Sequence, residues 1–307
     1  MEMFTIIVLN SSEPYVSSLC SLILGELRHL HKDPNVFELR CDIQEPYTEI
    51  IGLAKLTEAE KRKMEDPIME SLSFALADHI MNEHEPAILR GLVQKELKQA
   101  EGNEIVQVEG YCKQFLYGDR ETSLSFNETG SRRRTLIADQ VHEHMQENSL
   151  LILDGFLRFR IQEYVEELRE IVEYAMDEYL MDKQYQEFIS LLKYFVYIQE
   201  AKIPTAHLIH KGGHEFIIMD DQLEPIDTNA IDSSLKLEVL DKDINFEDMI
   251  VSTLISVSPA NIYIHTREPD MPIIHTIVQI FEDRTTICPY CRMCQAYLGE
   301  VKKQDQL

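Results

Sequence analysis

From Ile161 to Leu180 the chain returns to an apolar residue every three or four positions: Ile161, Tyr164, Val165, Leu168, Ile171, Val172, Ala175, Met176, Tyr179 and Leu180. That spacing keeps one face of an α-helix apolar for about five turns and does not fit a strand, whose faces alternate at every residue. Glu163, Glu166, Glu167, Glu170 and Glu173 fall on the opposite side as solvated charge. A second apolar set, Tyr185, Phe188, Ile189, Leu192, Phe195 and Val196, follows Met181-Asp182-Lys183-Gln184. No Gly or Pro interrupts residues 157–199, so one long helix and two abutting helices both satisfy the pattern. Past Pro204 the period drops to two. Residues 206–211 and 214–219 read as strands flanking Gly212-Gly213, a two-residue hairpin signal.

A chain that carries both periods at length points to an α+β protein. Residues 3–9, Met-Phe-Thr-Ile-Ile-Val-Leu, read as a buried strand. Asn10-Ser11-Ser12-Glu13-Pro14 supplies cap and first-turn chemistry for a helix that Asp33-Pro34-Asn35 stops, and a strand at 36–43 follows. Residues 1–45 therefore form a βαβ-like unit. From 46 to 200 the pattern is helical: a capping box at Thr57/Glu60, a helix opening at Asp66-Pro67, another at Glu85-Pro86. Residues 118–131, rich in Ser, Thr, Asn and Gly, read as an exposed, mobile connector, after which Arg132-Arg133-Arg134 opens a helix as solvated charge. Residues 201–307 read as a small α/β domain of order β-β-α-β-α-β. It carries an acidic loop at 220–248, helices near 246–257 and 272–281, and a strand at 261–265.

Charge narrows the function classes. Lys+Arg 29 against Asp+Glu 54 leaves a formal net charge of -25, which repels phosphate backbones and anionic lipid. Nucleic acid is thus a poor partner, and a protein partner is the expectation. The opening MEMFTIIVLN lacks the basic segment and cleavage pattern of a secretory leader, and no apolar run spans a bilayer. A cytoplasmic location is expected, and reduced cysteines suit it.

One motif carries explicit chemistry. Cys288-Pro-Tyr-Cys291-Arg-Met-Cys294 places three of the six cysteines within one short run, and each x2 step lets two thiolates turn toward one metal. A tetrahedral zinc site needs a fourth ligand, for which His265 and His275 are candidates, as are Cys20, Cys41 and Cys112 if the fold brings them near. An iron–sulfur cluster is a second use, although the fourth cysteine of a ferredoxin run is missing. Thiol–disulfide switching is a third. His207, His210 and His214 surround the hairpin, and a two-residue turn pairs Lys211 with His214 and His210 with Glu215 as surface neighbours. The acidic loop lacks the spacing of a calcium loop, and no nucleophile elbow, phosphate loop or dinucleotide fingerprint is present. Nothing names a reaction, so a non-enzymatic role is expected.

Leu150-Leu-Ile-Leu-Asp-Gly-Phe-Leu-Arg-Phe-Arg160, then Glu163-Tyr164-x-Glu166-Glu167-Leu168, resembles the YtxC family of sporulation proteins from endospore-forming bacteria. Asp177-Glu-Tyr-Leu-Met-Asp-Lys-Gln-Tyr-Gln-Glu-Phe-Ile189, Leu191-Leu-Lys-Tyr-Phe195 and Ile198-Gln-Glu200 carry the same resemblance. It covers about 130–290, with 150–200 most specific. It implies a cytoplasmic protein tied to spore formation, of unassigned molecular activity, and it brings no catalytic residues; an interaction or regulatory protein is the expectation. Within Phe156-Leu-Arg158-Phe-Arg160, Arg158 and Arg160 are solvated charges or, in a sharper role, acceptors for a partner's carboxylates.

Overall fold

The computed structural model describes residues 1–9, 12–33, 35–98, 102–118, 124–213, 215–226 and 246–298. They form two compact units, Met1–Met181 and Asp182–Leu307. In the first, β1 (Glu2–Leu9), α1 (Glu13–Arg28), β2 (Phe37–Gln44) and β3 (Tyr47–Ala54) precede the helices α2 (Glu58–His79), α3 (Glu85–Glu96), α4 (Gly102–Tyr117) and α5 (Leu124–Glu147). Then come β4 (Leu150–Ile152), α6 (Leu153–Phe159) and α7 (Gln162–Ile198). The 157–199 segment thus holds one long helix, α7, which starts two residues after α6 ends. Both units carry strands and helices, an α+β fold.

The first sheet has the order β2-β3-β1-β4, antiparallel except for the parallel β1/β4 pair. β1 lies inside it, and Phe4, Ile6 and Val8 are buried together with Met3 and Thr5 on the other face. Gly52 of β3 sits opposite Phe4, and a Cβ there would stand 2.4 Å from the ring, so the close packing of that ring needs a glycine. One core joins these strands to α1, α2, α3, α4, α5, α6 and the start of α7.

Several sequence expectations are corrected here. The helical pattern does not begin at 46: Tyr47–Ala54 is a strand, and its β-branched Thr48, Ile50 and Ile51 are buried against β1. The opening piece is therefore β-α-β-β. Asp66-Pro67 does not open a helix, because the Thr57/Glu60 capping box already starts α2 and Pro67 lies inside it. Burial of Ile68, Met69, Leu72 and Leu76 outweighs the local cost of the proline. The 118–131 connector is in part helical: 124–131 are the first turns of α5, and 119–123 lie outside the described residues.

The largest correction concerns Arg132–Arg134, none of which is merely solvated. Arg132 pairs with Glu167 at 2.8 Å. Arg134 forks onto Asp78 at 2.6 and 2.8 Å and lies over the Phe74 ring. Arg133, 1% exposed, meets the fully buried Glu85 at 2.6 Å. The hydroxyls of Tyr117 and Tyr164 donate to the same carboxylate. Burial and that carboxylate push both tyrosines up, Tyr117 to about 12. Between α2 and α3 the chain makes a π-helical turn, Ile80–His84, which delivers Glu85 to this cluster.

The second unit contains the end of α7, β5 (Ile203–Gly212), β6 (Glu215–Met219), α8 (Phe246–Val257), β7 (Pro259–His265), α9 (Pro272–Phe281), β8 (Thr285–Ile287) and α10 (Arg292–Leu298). The sheet order is β6-β5-β7-β8, with β5, β7 and β8 parallel. Ala206, Leu208, Ile262 and Ile264 point from one sheet face into a core with Leu254 of α8, Ile274 and Ile277 of α9, and Ile189 and Val196 of α7. Gly212 (φ 111°) and Gly213 (φ 58°) make the hairpin turn in a region that favours glycine. The bulk of the acidic loop, 227–245, lies outside the described residues.

Replacing Arg133 by Leu leaves Glu85 buried without its cation, and the expected loss is about 3–5 kcal/mol in urea unfolding. A loss below about 1 kcal/mol would show that the pair does not hold the unit together.

Candidate metal centre

Parallel strands open a crevice beyond their carboxyl ends, and the side chains that follow them converge there. His265 is the last residue of β7, and Cys288 directly follows β8. The register Ile264↔Ile287 makes these two the next pair, and the Cys288 N–H continues the ladder by donating to Ile264 O at 2.8 Å. The chain then turns at Pro289-Tyr290. Cys291 starts α10 by accepting the Gln295 N–H at 3.0 Å, and Cys294 lies one turn along. α10 packs against β5.

His265 Nδ1 lies 3.3 Å from Cys294 Sγ and 3.6 Å from Cys291 Sγ. Cys294 Sγ lies 3.8 Å from Cys291 Sγ and 3.9 Å from Cys288 Sγ. All four donor atoms fall within 4.8 Å of one another. Zinc bonds of about 2.3 Å to sulfur and 2.0–2.1 Å to nitrogen set tetrahedron edges of about 3.8 Å between sulfurs and 3.5 Å from sulfur to nitrogen. The donor set fits one tetrahedral ion in chemistry, and the four separations given above lie near those edges. His265 and Cys294 are buried, and Cys288 and Cys291 are partly exposed. Burial and the neighbouring thiols push Cys288 up to about 12. For Cys291 partial burial acts upward, but the backbone N–H groups of Cys294 and Met293 and the Cys288 thiol prevail and lower it. Each proton removed from this crowd makes the next harder to remove, and a cation at its centre relieves that repulsion.

The other nitrogen of His265 is also engaged. His207 Nδ1 lies 3.2 Å from His265 Nε2, and the two rings are tilted by only 28°. Tyr263 also stacks on His207, with ring centroids 5.5 Å apart. The register His207↔Tyr263 and Ile209↔His265 places these three side chains on the sheet face opposite the Ala206/Leu208 core face. Were Nδ1 of His265 to ligate an ion, its Nε2 would carry the proton and donate to His207. Burial lowers the pKa of both histidines.

Among the sequence candidates, His265 joins the three cysteines and His275 does not, being exposed on α9. Cys20, Cys41 and Cys112 belong to the first unit, where Cys20 and Cys41 thiols stand 3.3 Å apart. Arg158 and Arg160 are exposed in that unit, the former beside Phe159. The hairpin register differs from the expected one: His210 faces Phe216, and Gly212 faces Glu215, because the ladder shifts between His210 and Gly212. His210 is consequently no surface residue. It is 2% exposed, bonds Thr266 Oγ1 at 2.9 Å and donates to Gly213 O at 3.0 Å. His214 lies outside the described residues. Two clusters were not anticipated. One is the Glu85–Arg133 group; the other joins Tyr15 to His84 at 2.6 Å beside His79, whose two ring nitrogens are buried without a partner. Both are assembled around the π turn, which periodicity does not announce.

A family model described as YtxC-like matches residues 70–286. The chain is also 24% identical over 230 residues to "Uncharacterized protein YtxC" of Bacillus subtilis (strain 168), covering 75% of this chain and 80% of that protein. No solved structure matches significantly. The matched family segment includes His207 and His265 and ends just before Cys288. Among the described residues no helix is long and apolar enough to cross a membrane. With the family model covering well over half of its length, the chain belongs to the YtxC-like family.

Proposed function

We propose that this is a zinc-holding protein of spore formation that acts by binding a protein partner. The zinc ties the Cys288–Cys294 segment to the carboxyl ends of β7 and β8. The observation that supports this is the convergence of four donors, His265 Nδ1 and three thiols, all within 4.8 Å of one another. Thiolate and imidazole ligands in that geometry favour zinc. A cluster binds its cysteines to separate irons around a sulfide core, so donors this close suit a single ion better. Four protein ligands leave no open position, which speaks for a structural role and against a metal-activated water. The resemblance to sporulation proteins supports the cellular setting. Arg158 and Arg160, exposed after β4, are available to carboxylates of a partner.

Untagged protein purified anaerobically is expected to contain close to one zinc per chain by elemental analysis, lost in Cys288→Ser and in His265→Ala. Metal-free wild type with all six thiols titratable would sink the zinc assignment. A disulfide among Cys288, Cys291 and Cys294 in that protein would favour thiol switching instead. His207 supports the centre from outside the ligand set. His207→Phe should keep the stoichiometry while weakening zinc about 10–100-fold in chelator competition, and His207→Gln should recover much of the loss. Equal affinity in all three proteins would remove His207 from the centre.

A further inference from the structure

A helix that is apolar on all sides belongs in an interior. The end of α7 comes close to this character, with Ser190 and Lys193 as its only polar residues besides tyrosines between Phe188 and Ile198. One side is spoken for, since Ile189 and Val196 are buried in the second unit's core and Leu192 packs on it. The other side is apolar and open: Phe188 is 55% exposed, Leu191 62%, Tyr194 63%, Phe195 37%, Tyr197 83% and Ile198 56%. Side chains of this size bury about 150–250 Å² each when aromatic, so Phe188, Leu191, Tyr194, Phe195 and Ile198 leave roughly 550 Å² of surface in water. That is about two thirds of the roughly 800 Å² that each partner contributes to a standard stable interface.

Two features select the occupant. Phe188, Leu191, Phe195 and Ile198 follow the three-four-three spacing of a heptad seam, which is self-complementary: the same stripe on a second helix fills it. Charge points the same way. Residues 188–198 contain no Asp or Glu, in a chain with 54 of them and a net charge of -25. Two copies of such a chain repel over much of their surface and can meet where acid is missing. Lys193, the one charged residue of the stretch, is turned aside to Glu282 at 2.9 Å.

We propose that Phe188, Leu191, Tyr194, Phe195 and Ile198 form the seam of a homodimer, with α7 of one copy packed on α7 of a second. The test is sedimentation velocity on the full chain over a wide concentration range, with the metal content kept constant. The wild type dimerises with rising concentration. Leu191→Asp and, separately, Phe188→Ser weaken the dimer about tenfold or more while the circular dichroism stays unchanged. Ile43→Asp alters a side chain that is 72% exposed in the first unit and leaves the dimer intact. A wild type that stays monomeric throughout overturns the proposal, even if it binds the helix of another protein. So does a dimer indifferent to both seam substitutions, or one that Ile43→Asp weakens equally.

Discussion

A carboxylate and a guanidinium, both withdrawn from water, fix the arrangement of the first unit. Burying either ion alone costs several kcal/mol, so Glu85 and Arg133 must be inside together or not at all. Each sits on a different helix, α3 and α5. The two hydroxyls that complete the carboxylate's shell come from α4 and α7, through Tyr117 and Tyr164. Four helices therefore share one polar centre, and a shift of any of them would leave a buried charge or hydroxyl unpaired. Apolar packing alone tolerates sliding; this centre specifies a register. The neighbouring Arg134–Asp78 fork extends the same constraint to α2.

The second unit solves the same problem by other means. Its core is apolar, from Ile189 on α7 to Phe281 at the end of α9, and its sheet has four strands. The last strand has three residues and the last helix seven, lengths that hold poorly on backbone hydrogen bonds alone. Parallel pairing of β7 with β8 brings His265 beside Cys288, and the turn into α10 supplies Cys291 and Cys294. The polar centre of this unit thus stands at its most weakly held edge, where a bound ion would contribute most to order.

The amino-acid pattern announced some of this and hid the rest for identifiable reasons. The β-β-α-β-α-β order was legible from the periods and from Gly or Pro at boundaries such as Gly212-Gly213 and Pro272, but α10, which carries Cys294, was not. The three cysteines were legible because their spacing is local. His265 could be named only as one of several partners, since strand pairing decides which histidine stands next to Cys288. Tyr47–Ala54 was misread because a short buried strand and a piece of buried helix look alike, although Ile50-Ile51-Gly52 held a β-branched cue. Arg132–Arg134 looked like solvent-facing charge, and Glu85 like an ordinary first-turn acid. Their pairing spans 48 residues, a separation at which single-sequence periodicity is silent. The hairpin register failed by one residue, because a ladder shift beside a glycine pair leaves no mark in composition.

α7 connects these observations. Its first turns give Tyr164 to the buried carboxylate of the first unit, and its last turns give Ile189 and Val196 to the core of the second. A helix with duties at both ends has its inward residues dictated by packing, which accounts for the persistence of the apolar period along it. Its outward residues are under no such demand, and between Glu163 and Glu173 they are acidic, as a solvated face should be. The change to Phe188, Leu191 and Tyr194 further along therefore has no explanation in the core of either unit. Large apolar side chains at solvent positions lower solubility without adding internal contacts, so their occurrence as a stripe at heptad spacing is best understood as intermolecular packing.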